Sequence, residues 1–148
     1  MSPDAYLLDT VVVSELVKST RNPAVIAWVD VHDENTLFIS AITLGEIQKG
    51  ISKLQDSSRK ETLQSWLSQD LAPRFNGRTL FVDSAVALAW GALQGEAQRN
   101  SITLPVVDCL IAATARVHNL AVVTRNVRDM ERCGVAVIDP WSSKPSDQ

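Results

Sequence analysis

The chain has 148 residues, 45% of them hydrophobic and 21% charged, which suits one globular domain burying roughly 70% of its unfolded surface. Lysines and arginines number 14 against 17 aspartates and glutamates, a net charge of −3, and this excludes nucleic-acid binding by overall charge: any RNA must meet a local basic patch. The opening MSPDAYLLDT has no basic n-region and apolar runs such as VVDCLIAATA are interrupted well short of ~20 residues, so neither secretion nor membrane spanning is expected.

Taken in order, short β-type runs alternate with helix-period stretches, the pattern of parallel strands joined by crossover helices. The first strand runs from Tyr6 to Leu8 and ends at Asp9, with a helix beginning near Val12. Asn22 followed by Pro23 reads as a cap and a first-turn residue. The second strand is Leu37 to Ile39; after it Leu44, Ile47, Ile51 and Leu54 recur at helical spacing, which sets Glu46 at the edge of an apolar stripe. An S-x-x-E box from Ser58 to Glu61 starts another helix, and Leu80 to Val82 is the third strand. Asp83 precedes an alanine-rich helix, and Pro105 opens the next one, with Asp108 in its first turn. Leu120 to Val123 and Val135 to Ile138 complete a five-stranded sheet. The expectation is an α/β, three-layer fold with a central parallel five-stranded sheet flanked by helices. Residues 1–141 form its single domain and the polar residues 142–148 a frayed tail.

The carboxylates stand out one at a time. Asp9 directly follows an apolar strand, where open parallel sheets hold ligands, although the same residue can simply cap the following helix. Glu46 alone reads as a solvated helix-edge acid, but its segment begins right after the second strand and reaches the same sheet edge. Asp108 interrupts LPVVDCLIAATA, apolar on nearly every side; a buried carboxylate there must be capping, paired or bound to metal. After the fourth strand, Thr124, Asn126 and Asp129 of VVTRNVRDM can add oxygen ligands or cap a loop, and spacing does not choose between Asn126 and Asp129. Acids crowded at one sheet edge repel each other unless a hard divalent cation neutralises them, which suits Mg²⁺ or Mn²⁺. Zinc is not supported, because Cys109, Cys133, His32 and His118 lie at no ligand spacing. The same two cysteines make no disulfide framework, so a cytoplasmic protein is expected.

LLDTVVVSEL, SAITLGEIQKG, VVDCLIAATA and VVTRNVRDM, in that order, and the closing VAVIDPW resemble the PIN-domain toxins of bacterial VapBC type, especially their FitB-like branch. The likeness covers nearly the whole chain. It implies that Asp9, Glu46 and Asp108 are the acidic metal ligands and that a fourth site residue follows the fourth strand, at Asn126 or Asp129. It implies an endoribonuclease acting on cellular RNA, held inactive by a small VapB-like antitoxin, forming homodimers and meeting operator DNA only through that antitoxin. One departure is Val11, where the family has an asparagine supporting the acidic site; its loss points to reduced activity. Lys49, Lys53, Arg125 and Arg128 lie near the acidic blocks and are candidates for an RNA-facing patch.

Two other classes compete. A haloacid-dehalogenase-type phosphatase also places Asp-Thr after an early strand, but its general acid two residues on is missing, since Val11 stands there. A degenerate PIN fold that only binds RNA or a partner is separated from the ribonuclease by a metal-dependent cleavage assay.

Overall fold

The computed structural model describes residues 4–142, so all but Ser142 of the tail expected over 142–148 lies outside the described residues. Five parallel strands stand in the order β3-β2-β1-β4-β5: β1 (Tyr6–Leu8), β2 (Leu37–Ser40), β3 (Thr79–Leu80), β4 (Ala121–Val123) and β5 (Val137–Ile138). Between them run α1 (Thr10–Glu15), α2 (Pro23–Val31), α3 (Ala41–Ser52), α4 (Ser58–Ser65), α5 (Ala72–Arg74), α6 (Ser84–Arg99), α7 (Val106–His118) and α8 (Val127–Arg132). Among the described residues no helix is long and apolar enough to cross a membrane.

Three layers follow from the two-residue period of the central strands. Leu7 and Val122 point to one face and join the core formed with Val86, Leu93, Ile111 and Met130 of α6, α7 and α8. Leu8 and Val123 point to the other and meet Val12, Val25, Trp28, Ile47 and Leu71 from the opposite helices. With both faces covered, the strands read as unbroken apolar runs and not as alternating ones. Leu7 and Leu8 are both fully buried, each contributing about 1.5–3 kcal/mol by leaving water.

Several starts fall where the sequence puts them. Asn22 accepts hydrogen bonds from the N–H groups of Ala24 and Val25, Asp83 accepts from Val86 N, and α7 opens after Pro105 with Asp108 in its first turn. Others shift. The helix expected near Val12 begins at Thr10, because Asp9 itself is the cap. The box at Ser58 is displaced: Ser57 is the capping residue, accepting from Lys60 N, which leaves Glu61 a residue too late to close it. β3 ends at Leu80, and Phe81 beyond it is 71% exposed, as a short edge strand allows. A π-helical stretch at Trp66–Leu71 was not foreseen. Pro73 follows it; a proline ring crowds the carbonyl one turn back, and the wider turn relieves that clash.

β3 is tied back by Arg78, whose guanidinium donates to the carbonyl oxygens of Glu34, Leu37 and Arg74. The turn before it passes through Gly77 at φ 83°, a conformation glycine adopts without penalty.

Candidate active site

The chain builds β1, β2 and β3 outward in one direction and then crosses back to lay β4 on the other side of β1. The carboxyl ends of β1 and β4 therefore diverge into a crevice at a topological switch point, where doubly wound sheets hold ligands. Leu8 pairs with Val123, so the next residues of each strand, Asp9 and Thr124, enter that crevice side by side.

Asp9 is 6% exposed. Its Oδ1 accepts from Thr10 N at 2.8 Å and its Oδ2 from the Thr124 hydroxyl at 2.7 Å. Burial pushes its pKa above the usual carboxylate range, the bonds from Thr124 and Thr10 pull it down, and the charge of Glu46 pushes it up. It both caps α1 and faces the crevice.

Glu46 comes from the second turn of α3 and receives a hydrogen bond from the Thr10 hydroxyl. That hydroxyl also lies 3.0 Å from the Thr43 hydroxyl. Thr10 has a single proton and gives it to Glu46, so buried Thr43 is the donor in the second contact.

Asp108 is half-buried in the first turn of α7. Its pKa is pushed up to about 6, first by burial and then by the charges of Asp9, Asp129 and Glu46, against a lowering hydrogen bond from Asn126. That bond runs from Asn126 Nδ2 to Asp108 Oδ2 over 2.7 Å. Asn126 stands at the N-cap of α8 without a side-chain capping bond. Its backbone N–H is instead received by Thr124 Oγ1 at 2.9 Å, and its amide is free for Asp108.

Asp9, Thr10, Val11, Glu46, Asp108, Arg125 and Asn126 line one open cleft of about 520 Å³. The expected residues Asp9, Glu46, Asp108 and Asn126 are thus brought together. Asp129, the alternative to Asn126, lies in the first turn of α8 outside that lining and reaches the cleft only through its charge. Of the expected basic residues, Arg125 lines the cleft, whereas Lys49, Lys53 and Arg128 are exposed away from the lining. Thr10 and Thr43 were missed; the only signals were the Asp-Thr pair and the threonine in SAIT. Among the described residues no group of three or more His, Cys, Asp or Glu side chains is converged as a ready cage. Glu46 is held by Thr10 and Asp108 by Asn126.

Such a sheet, carrying carboxylates from three elements at its switch point, defines an α/β protein with an acidic cleft. The PIN-domain profile matches residues 6–134. Over 135 residues the chain is 36% identical to Toxin FitB of Neisseria gonorrhoeae, covering 91% of this chain and 97% of that protein. It is 34% identical to VapC ribonuclease Y4jK of Sinorhizobium fredii over 91% of this chain and 96% of the relative. In three dimensions it superposes on a structure of FitAB bound to an IR36 DNA fragment with a TM-score of 0.88 at 33% identity, covering 94% of this chain and 97% of that one. The chain belongs to the PIN-domain family.

Proposed function

We propose that the chain is the ribonuclease toxin of a type II toxin-antitoxin module, a divalent-metal-dependent endoribonuclease that cleaves cellular RNA. One observation carries the reading: carboxylates from the residue after β1, from α3 and from α7 line a single cleft, and their crowding helps hold Asp108 at about 6. The relatives named as toxin and as ribonuclease, similar over nine-tenths of the chain, support it.

The donor set fits Mg²⁺ or Mn²⁺. Apart from the guanidinium of Arg125, every polar side chain lining the cleft carries an oxygen, and there is no thiolate or imidazole among the lining residues. When bound, such an ion supplies Lewis-acid stabilisation of a phosphoryl oxygen and an acidified coordinated water. Asp9 and Asp108 are the direct ligands in this reading, and Glu46 holds the ion directly or through water. Thr10 orients Glu46, and Asn126 orients Asp108. Val11 offers neither donor nor acceptor to the cleft.

A small VapB-like antitoxin restrains the enzyme by laying a C-terminal segment over the cleft and inserting an arginine among the acids, and it carries the complex to operator DNA. The FitAB structure on DNA supports such an assembly. A homodimer is expected, its contact supplied by the exposed apolar residues Phe81, Leu88 (76% exposed) and Val106. The working location is the cytoplasm, where RNA and antitoxin are met.

The purified chain, freed of partner, is incubated with a panel of RNAs in Mn²⁺ and in chelator. Cleavage that vanishes with chelator supports the enzyme. Binding without cleavage under all metals favours the second reading, a degenerate PIN domain acting as a binding module, for which Val11 is the specific observation.

A further inference from the structure

Arg125 sits between two residues already assigned to the cleft. Thr124 gives its hydroxyl to Asp9, Asn126 gives its amide to Asp108, and Arg125 lines the same cleft from the loop between them. It is the one cation among the lining residues. Despite the neighbouring acids, no carboxylate lies within salt-bridge distance of it among the described residues. Its guanidinium instead lies over the ring of Trp141, 4.7 Å from the centroid.

Trp141 is a fixed support. It packs against the core cluster that contains Leu8 and Val123, the residues preceding Asp9 and Thr124. Its backbone N–H is received by Asp139 Oδ1 at 2.9 Å, which sets the turn just after β5. A long exposed arginine ordinarily samples many rotamers. Laid on an aromatic face within about 6 Å, it is held in place while its N–H edge stays available. Buried Glu15, which accepts from Asn22 N and Lys18 Nζ, adds a negative field nearby, since Arg125 is among the charges holding its carboxyl below the usual range.

Resting on the ribonuclease reading above, we infer that Arg125, held on Trp141, engages a phosphate of the RNA strand at the mouth of the acidic cleft, with Trp141 as its positioning residue. The segment after β5 is then part of the substrate site. A planar guanidinium matches two phosphate oxygens at once, and it offsets the repulsion between RNA and the acids.

The test uses the whole chain and a labelled single-stranded RNA, with binding measured in chelator and kcat and KM in Mn²⁺. Arg125→Ala should weaken binding and raise KM about tenfold, with kcat less affected, and the salt dependence of binding should fall by about one phosphate contact. Arg125→Lys should not restore it, because a point charge neither stacks nor forks. Trp141→Phe should keep most of the affinity, and Trp141→Leu, which preserves apolar packing without a π face, should behave like Arg125→Ala. The double variant Arg125→Ala with Trp141→Leu should be no worse than Arg125→Ala alone. The thermal shift given by Mn²⁺ should be unchanged in all of them. Parent-like binding by Arg125→Ala, with the parent cutting RNA, overturns this inference and leaves the ribonuclease reading intact. Multiplicative losses in the double variant overturn the positioning role by showing that Trp141 acts on RNA independently. A parent that neither binds nor cuts any RNA removes both.

Discussion

Asn126 holds Asp108 through a 2.7 Å hydrogen bond from its side-chain amide to Oδ2. That bond is the lowering influence on a carboxyl that burial and three neighbouring acids push up to about 6. Replacing Asn126 with leucine should therefore raise the Asp108 pKa further. Carbon-detected NMR titration of the aspartate carboxyls, in chelator, checks it; an unchanged midpoint would mean that the amide does not serve Asp108 in solution.

The same group sets a pH dependence of stability. An unfolded aspartate titrates near 3.9, whereas Asp108 in the fold titrates at about 6, so its protonated form is the one the fold favours. The sign is fixed by linkage: its contribution to stability is complete below about pH 4 and is lost as pH rises to about 6. Buried Asp9, also raised, acts in the same direction. In chelator, Asp108→Asn should flatten the fall in melting temperature between about pH 4 and 6, because Asn cannot ionise. Parent and variant losing the same number of degrees across that window would contradict the shift.

Asp9→Asn separates a metal ligand from a plain cap. Asparagine caps about as well as aspartate and keeps an oxygen for Thr10 N, so the empty variant should melt higher than the parent by relief of repulsion with Glu46 and Asp108. It should lose most of the stabilisation by Mn²⁺ and the cleavage with it. A ligand at ten times its dissociation constant adds about 1.4 kcal/mol, or roughly 3–6 °C for a domain of this size. Equal Mn²⁺ shifts in both proteins would leave Asp9 as a cap only.

Val11 lines the cleft with an apolar side chain among polar ones. Val11→Asn should raise the Mg²⁺-dependent cleavage rate several-fold by giving the site a further oxygen and amide to orient ligand or water. Indistinguishable rates would show that position 11 is not limiting.

Thr10 is where α1 and α3 meet at the site, giving its proton to Glu46 and receiving that of Thr43. Thr10→Val keeps the shape and removes the hydroxyl. Groups that orient metal ligands typically matter 10- to 100-fold in metal affinity, so Mn²⁺ affinity by calorimetry should fall about tenfold while α1 stays folded. An unchanged affinity would make the contact with Glu46 incidental.

The five parallel strands and the sheet edge that carries the site were readable because buried parallel strands leave unbroken apolar runs, and a polar residue closes or directly follows each of β1, β2 and β4: Asp9, Ser40 and Thr124. Asp108 was conspicuous as an acid inside an apolar helix. What the sequence hides is side-chain geometry. Asn126 and Asp129 are three residues apart on or beside one short helix, and only the direction of each side chain decides that Asn126 meets Asp108. The displaced cap at Ser57 is a choice between adjacent serines that local chemistry barely distinguishes. The stacking of Arg125 on Trp141 joins residues 16 apart in sequence through the turn after β5, a contact that no periodicity announces.

Crystals of the chain soaked in Mn²⁺ test the central claim most directly, because anomalous scattering locates the ion without reference to activity. The account predicts a peak in the cleft within coordination distance, about 2.0–2.3 Å, of carboxylate oxygens from Asp9 and Asp108, with Glu46 bound directly or through one water, and no such peak in Asp9→Asn. Manganese bound away from these residues, or a cleft that stays without a peak at saturating Mn²⁺, would contradict it.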